Sequence, residues 1–412
     1  MLRPDEVTPL PGEPPRYPPI VGPEDWQPLV HELQAPPLPG VERGPAGAPP
    51  SLLHRHGMAI HTPAAWRRER AHLLAVWQAI LGPEPCPPLP AAPEVVAEYD
   101  ALPDYRRWAI RFRTEEDATA DAHLLLPGEA FPPPWPGVVV FHRETDAAHD
   151  EPAGLAGAEA HHVALELARL GYACLVPRHW WFGYDGATKE AALGRLRERH
   201  PLTTGLAKAV WDGAQAIDAL LWFREVDPRQ VAAIGHGMGA QIALFLAAQD
   251  ERIAATIASE PGLSLERGDW AAPWSLGATV GALRQRTGGH DLHEIVACIA
   301  PRAFLLVAGG VQDGAASWPS VHAAQLVYDL LGAPEAIGWI RHADGDTYPL
   351  HTAVTDRDND PRDAMWEWLH HWVRPPRSQA DLRRTHVARR RHLRQRPRGG
   401  RTPRGRLPLG GA

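Results

Sequence analysis

The sequence predicts an α/β fold with a mainly parallel sheet, an N-terminal antiparallel hairpin and helices on both faces, and three patterns carry that prediction. Beyond Pro136, short apolar runs alternate with helical periodicities, the rhythm of strand, helix, strand units whose sheet is covered on both sides. Ahead of them, WAIRF at 108–112 and AHLLL at 122–126 flank the acidic turn TEEDATAD. Two alternating runs around such a turn read as a hairpin. In VAAIGHGMGAQIALFLAAQ, finally, a short apolar strand passes through a glycine-rich turn straight into a helix.

The elements follow in chain order. Residues 1–50 hold 15 of the 44 prolines, which excludes regular helix or central strand there, because proline lacks the amide donor and fixes φ. Residues 1–62 are therefore expected to form an extended proline-rich arm. A helix is expected over 63–81, where Trp66, Leu73, Leu74, Trp77 and Ile80 recur at spacings near one turn and Gly82 ends the run. Its apolar face should lie against the sheet. After the hairpin, strands are expected at 138–141, 173–176, 231–234, 254–259, 304–308 and 337–340, with helices at 161–171, 205–225, 240–249 and 321–332. The last element, RDAMWEWLHHWV at 362–373, is amphipathic and is stopped by Pro375 and Pro376. The structured domain thus spans 63–376. Residues 377–412 carry twelve arginines against the single acid Asp381 and have almost nothing to bury, so a disordered tail is expected.

With 412 residues, 44% hydrophobic and 22% charged, the composition is that of a globular protein and excludes disorder throughout. The formal charge of -7 averages an acidic body with the basic tail. That tail lacks the interleaved aromatics of a single-strand nucleic-acid binder, leaving non-specific contact with acidic partners as its expected role. Cys86, Cys174 and Cys298 are far apart and show no metal-ligand spacing, so neither a disulfide framework nor a zinc motif is suggested. The N-terminus has no apolar core of signal-peptide length, and the run IVACIAPRAFLLVAGG is broken by Pro301 and Arg302. A cytoplasmic protein without a membrane span is expected.

The segment through Gly235-His236-Gly237-Met238-Gly239 has the context of a nucleophile elbow. Glycines flank the central position because the strand-to-helix turn brings backbone too close for side chains there. The central residue adopts a strained, positive-φ geometry beside the first amides of the helix, where an oxyanion is held. Here that residue is Gly237, which has no nucleophile to offer.

Residues from about 63 to 373 resemble the alpha/beta-hydrolase superfamily, in its dienelactone hydrolase and acetyl xylan esterase-like branch. The similar phrases are FHRETDAAHDEPAGLAG, ARLGYACLVPRHWWFG, VDPRQVAAIGHGMGAQIAL, IAPRAFLLVAGGVQDG and IRHADGDTYP, in that order along the body. Under this resemblance the family's nucleophile falls on Gly237, its acid on Asp313 and its histidine on Asp346, within Gly345-Asp346-Thr347-Tyr348-Pro349. Only the acid keeps its chemistry. The resemblance also implies a pocket lip at His142 and Arg143, where Arg143 suits either attraction of an anionic ligand or a plain exposed position on a loop. Met238, next to the elbow, belongs to the same binding set. Trp181, between Trp180 and Phe182, suits either a pocket wall or a core plug.

Substitutes for the missing groups are weak. His342, at the end of the run IGWI, reads as a loop residue, and His236 points back into the fold as a packing or hydrogen-bonding residue. Asp313 and Asp346 would form a carboxylate pair near Asp344 and His351, but no short ligand motif accompanies them, and no metal or cofactor is expected. Loss of the nucleophile and the base together implies that acyl-enzyme chemistry has been given up. The expected function is a catalytically degenerate hydrolase that binds an ester-like small molecule or serves as a scaffold. The alternative is a carboxylic ester or lactone hydrolase using a non-standard residue set.

Overall fold

A computed structural model describes residues 51–55, 58–99, 104–183, 187–284, 290–308, 312–314, 317–341 and 361–373. The elements run β1 (His54–Arg55), β2 (Met58–Ala59), α1 (Pro63–Leu81), β3 (Glu94–Tyr99), β4 (Tyr105–Glu115), β5 (Ala118–Pro127), β6 (Trp135–Phe141), α2 (Val163–Arg169) and β7 (Ala173–Pro177). They continue with α3 (Lys189–Arg199), α4 (Gly205–Leu221), β8 (Val226–His236), α5 (Met238–Gln249), β9 (Ile253–Ser259), α6 (Thr279–Arg284) and α7 (His293–Ile299). The last are β10 (Ala303–Ala308), α8 (Trp318–Leu330), β11 (Ile337–Arg341) and α9 (Pro361–Val373).

Nine strands form one sheet in the order β11-β10-β9-β8-β6-β7-β5-β4-β3. From β7 across to β11 neighbouring strands are parallel, whereas β3, β4, β5 and the β5–β7 pair are antiparallel. Side-chain alternation divides the core between the two faces. Val138 and Val140 of β6 join Cys174, Val176 and Ile234 under α2 and α9. Val139 and Phe141 join Leu175 and Ala233 under α4, α5 and α7. Burial on both faces is why these strands read as continuous apolar runs.

The structure differs from the sequence reading in several places. The hairpin turn is only Glu116 and Asp117, because the ladder continues through Arg113 opposite Thr119 and Glu115 opposite Ala118. Strand β3, EVVAEY, was not expected: it lies at the sheet edge with most residues exposed, so it shows no buried and exposed alternation to read. Helix α7 was not expected; it meets the expected strand β10 at Ala300-Pro301-Arg302. Helix α1 spans the expected residues and buries Trp66, Leu73, Trp77 and Leu81, but it docks mainly on α7 rather than on the sheet. There the Trp77 indole N–H donates to Glu294 at 2.7 Å, and Arg70 donates to the Cys298 carbonyl at 2.7 Å.

Residues 51–55 and 58–60, assigned by sequence to the arm, carry the paired strands β1 and β2 and bury Leu52 and Ile60. The three cysteines are unpaired. Among the described residues, no helix is long and apolar enough to cross a membrane.

Candidate active site

Strand β8 delivers the chain to Gly237, which has φ +52°, and α5 starts at the next residue. The Gly237 N–H donates to the Ser259 carbonyl of β9 at 2.8 Å, anchoring the turn. The three elbow glycines exist for two different reasons. A Cβ on Gly235 would sit 2.1 Å from the Gly239 carbonyl, and one on Gly239 would sit 2.2 Å from the Phe141 oxygen at the end of β6. Those positions exclude side chains on packing grounds. A Cβ on Gly237 meets nothing within 4 Å. The space for a nucleophile is therefore present, and the positive φ is the one glycine adopts without strain. Because α5 begins at Met238, its first-turn amides have no acceptor within the helix and carry its positive dipole end.

Asp313 lies just after β10 and is 1% exposed. Both its oxygens are engaged: Gly262 N–H donates at 2.6 Å, Leu263 N–H at 2.7 Å and the Ser317 hydroxyl at 2.5 Å. Burial pushes its carboxyl up to about 6 despite these donors, and the neighbouring Glu260 adds to the rise. Glu260, directly after β9 at φ +54°, is a second buried carboxylate. It accepts from the N–H groups of Gln312 and Asp313 at 2.6 and 2.8 Å. Glu260 escaped the sequence reading, although an acid placed at the end of the strand beside the elbow strand, followed by Pro261 and Gly262, was the available signal. Asp346 lies outside the described residues, as do His342, Asp344 and His351.

The lip residues are held by the fold itself. His142 is buried, and its Nδ1–H donates to the Arg143 carbonyl at 2.8 Å while Nε2 accepts from the His179 N–H at 3.1 Å. Arg143 is clamped by Glu151 through two 2.8 Å hydrogen bonds, with His161 on the same carboxylate at 2.8 Å. Its charge is thus compensated within the loop. Met238 is buried at the start of α5. Trp181 packs in the core with Trp180 and Phe182, and its indole N–H donates to Glu144 at 3.3 Å. Beside His142, among Phe141, His179, Asp212 and Ile242, a cavity of ≈ 10 Å³ has about the room of one water.

His236 is hydrogen-bonded through Nδ1 to the Ser259 hydroxyl at 3.0 Å. Burial pushes it down to about 3, and burial likewise pushes His142 down to about 4. An unfolded imidazole takes up a proton as pH falls through about 6.5, but these folded rings do not. The unfolded state therefore binds more protons across that window, and stability present above pH about 6.5 is lost as pH falls, by up to about 3 kcal/mol for His142 at pH about 4. Asp313 acts oppositely and offsets part of this between about pH 6 and 4. The unfolding temperature is expected to fall from pH 7 to 4.5, and to fall less steeply in His236→Asn. Equal slopes would show that His236 is not held neutral.

Comparison with known proteins meets this geometry. Residues 120–270 match the model of the dienelactone hydrolase family. A glucuronoyl esterase from Solibacter usitatus superposes with a TM-score of 0.64 at 17% identity, covering 80% of this chain and 98% of that one. The chain has the alpha/beta-hydrolase fold. A glucuronoyl esterase from Teredinibacter turnerae gives a TM-score of 0.59 at 19% identity, over 78% of this chain and 89% of its own. A Bacteroides fragilis protein provisionally named an acetyl xylan esterase gives 0.55 at 15%, over 84% and 92%. No curated protein matches the sequence. In alpha/beta-hydrolase terms, the elbow lies in the matched segment 120–270, and so does Glu260; Asp313 falls beyond it.

Proposed function

We propose that this alpha/beta-hydrolase-fold protein is catalytically degenerate and holds an ester-like or carboxylate small molecule at the elbow without forming an acyl-enzyme. The observation that carries this reading is Gly237, an elbow position with open space and no hydroxyl or thiol. The retained first turn of α5 supports binding of a carbonyl or carboxylate oxygen. The esterase names of the structural neighbours support an ester-type ligand. The titratable groups described at the site are already engaged: Asp313 and Glu260 with backbone amides, and His142 and His236 with fixed partners. The alternative, ester hydrolysis by a non-standard residue set, draws on one observation, the Asp313 carboxyl raised to about 6. The unpaired cysteines support a reducing, cytoplasmic location. The segment 377–412 is read as a contact for acidic partners.

A fluorophosphonate probe, which reacts with activated serines, is expected to leave the purified protein unlabelled. Stoichiometric labelling that disappears when one particular serine is replaced would overturn the reading.

A further inference from the structure

The loop after β6 and the middle of β5 bring two imidazoles and a carboxylate together, on the side of His142 next to the Glu151 clamp. His123 lies on β5, opposite Ala109 of β4 and Val176 of β7. His149 and Asp150 lie in a single 3₁₀ turn, Ala148–Asp150. The two rings stack with centroids 4.6 Å apart, and His123 Nε2 is 2.7 Å from Asp150 Oδ1. One ligand atom from each of the three residues lies within 4.8 Å of the others, and no other group of three His, Cys, Asp or Glu side chains does so among the described residues.

Two features separate this cluster from ordinary packing. His149 is 8% exposed, and its Nδ1 is buried without a hydrogen-bond partner, as is Nδ1 of His123. A buried, unsatisfied ring nitrogen costs about 1–3 kcal/mol, so the open Nδ1 of His149 calls for a partner. Ala148, immediately before His149, has φ +44°, a strained conformation for a residue with a Cβ, and such strain clusters at ligand-binding sites. The strained turn is held in place by its surroundings. Glu151 clamps to Arg143 and His161, and the Asp150 carbonyl accepts from Leu155 N–H at 2.9 Å.

We propose that His123, His149 and Asp150 bind a divalent transition-metal cation of the zinc class, leaving a fourth position for water. Two imidazoles and one carboxylate are the donor set such ions take. The cation takes the place of the proton shared by His123 and Asp150. Donors at about 2.0–2.2 Å from a tetrahedral ion stand about 3.3 Å apart, so loading draws the widest pair together by at most about 1.5 Å. The rings stack at 13° and a nitrogen lone pair lies in its ring plane, so the His149 ring turns out of the stack on loading, while Asp150, 46% exposed, adjusts to it. Arg107, Arg178 and Asp121 are near enough to act on these rings, so donor bonds rather than net charge retain the ion.

The test uses the full chain, stripped with a chelator and dialysed. Zn²⁺ is titrated against a chromophoric competitor, and Co²⁺ is added separately to read its visible ligand-field bands. The expected result is one equivalent bound, with a tetrahedral Co²⁺ spectrum, and binding weakened at least about 10-fold in His149→Phe and in Asp150→Asn. Asp150→Asn alters a partly exposed side chain and serves if His149→Phe does not fold. Less than one equivalent bound by the parent protein, or unchanged affinity in a folded variant, overturns the assignment.

Discussion

Gly237→Ser combined with Asp346→His is expected to turn over a small activated ester about 10²-fold or more faster than the parent protein, the lower end of what a positioned general base contributes. The site has room for the change, because a β-carbon on Gly237 meets no atom within 4 Å. Its φ of +52° costs serine about 1–2 kcal/mol, which a folded domain of this size tolerates. Asp313, the acid position under the family resemblance, lies after β10 and is already fixed by three donors. Gly237→Ser alone is expected to stay near the parent rate, since a hydroxyl without a base is a weak nucleophile. A folded double variant as inactive as the parent would mean that the pocket or the oxyanion site has gone as well.

The flanking glycines give the second large effect, on stability. Gly235→Ala and Gly239→Ala are each expected to cost about 4 kcal/mol or more, read as a lower urea midpoint or as failure to accumulate folded protein. The obstacles are backbone atoms: the Gly239 carbonyl 2.1 Å from one new carbon and the Phe141 oxygen 2.2 Å from the other. Phe141 is also the parallel partner of Gly235 between β6 and β8, so neither strand yields without breaking the ladder at the centre of the sheet. Gly237→Ala is expected to cost only about 1–2 kcal/mol. If it destabilises as much as its neighbours, glycine at 237 is a requirement of the fold and says little about lost chemistry.

The elbow was legible because its signal is local. Five residues across the junction of a strand and a helix carry the Gly-x-Gly-x-Gly spacing, and the backbone contacts at Gly235 and Gly239 follow from it. The parallel strands were legible for the same reason, each being a short apolar run buried on both faces. Features made by distant partners were not. Glu260 becomes a site carboxylate only when β9 pairs with β10 and brings Gln312 and Asp313 within reach. Arg143 reads as a free cation until the loop folds Glu151 onto it. His123 is 27 residues from Asp150, so no motif search over short spacings joins them. Strand β3 was hidden because an exposed edge strand carries no burial pattern in its sequence.

The docking of α1 bears on how the chain reaches this structure. Trp77 bonds to Glu294, 217 residues further on, and Arg70 bonds to Cys298, 228 residues further on. During synthesis the tryptophan-bearing face of α1 leaves the ribosome long before α7 exists to receive it. At about 5–20 residues per second, that face waits on the order of ten seconds or more without its partner. The first helix of the domain is therefore among the last to find its place, and its apolar stripe is the surface that chaperones or neighbouring chains meet first.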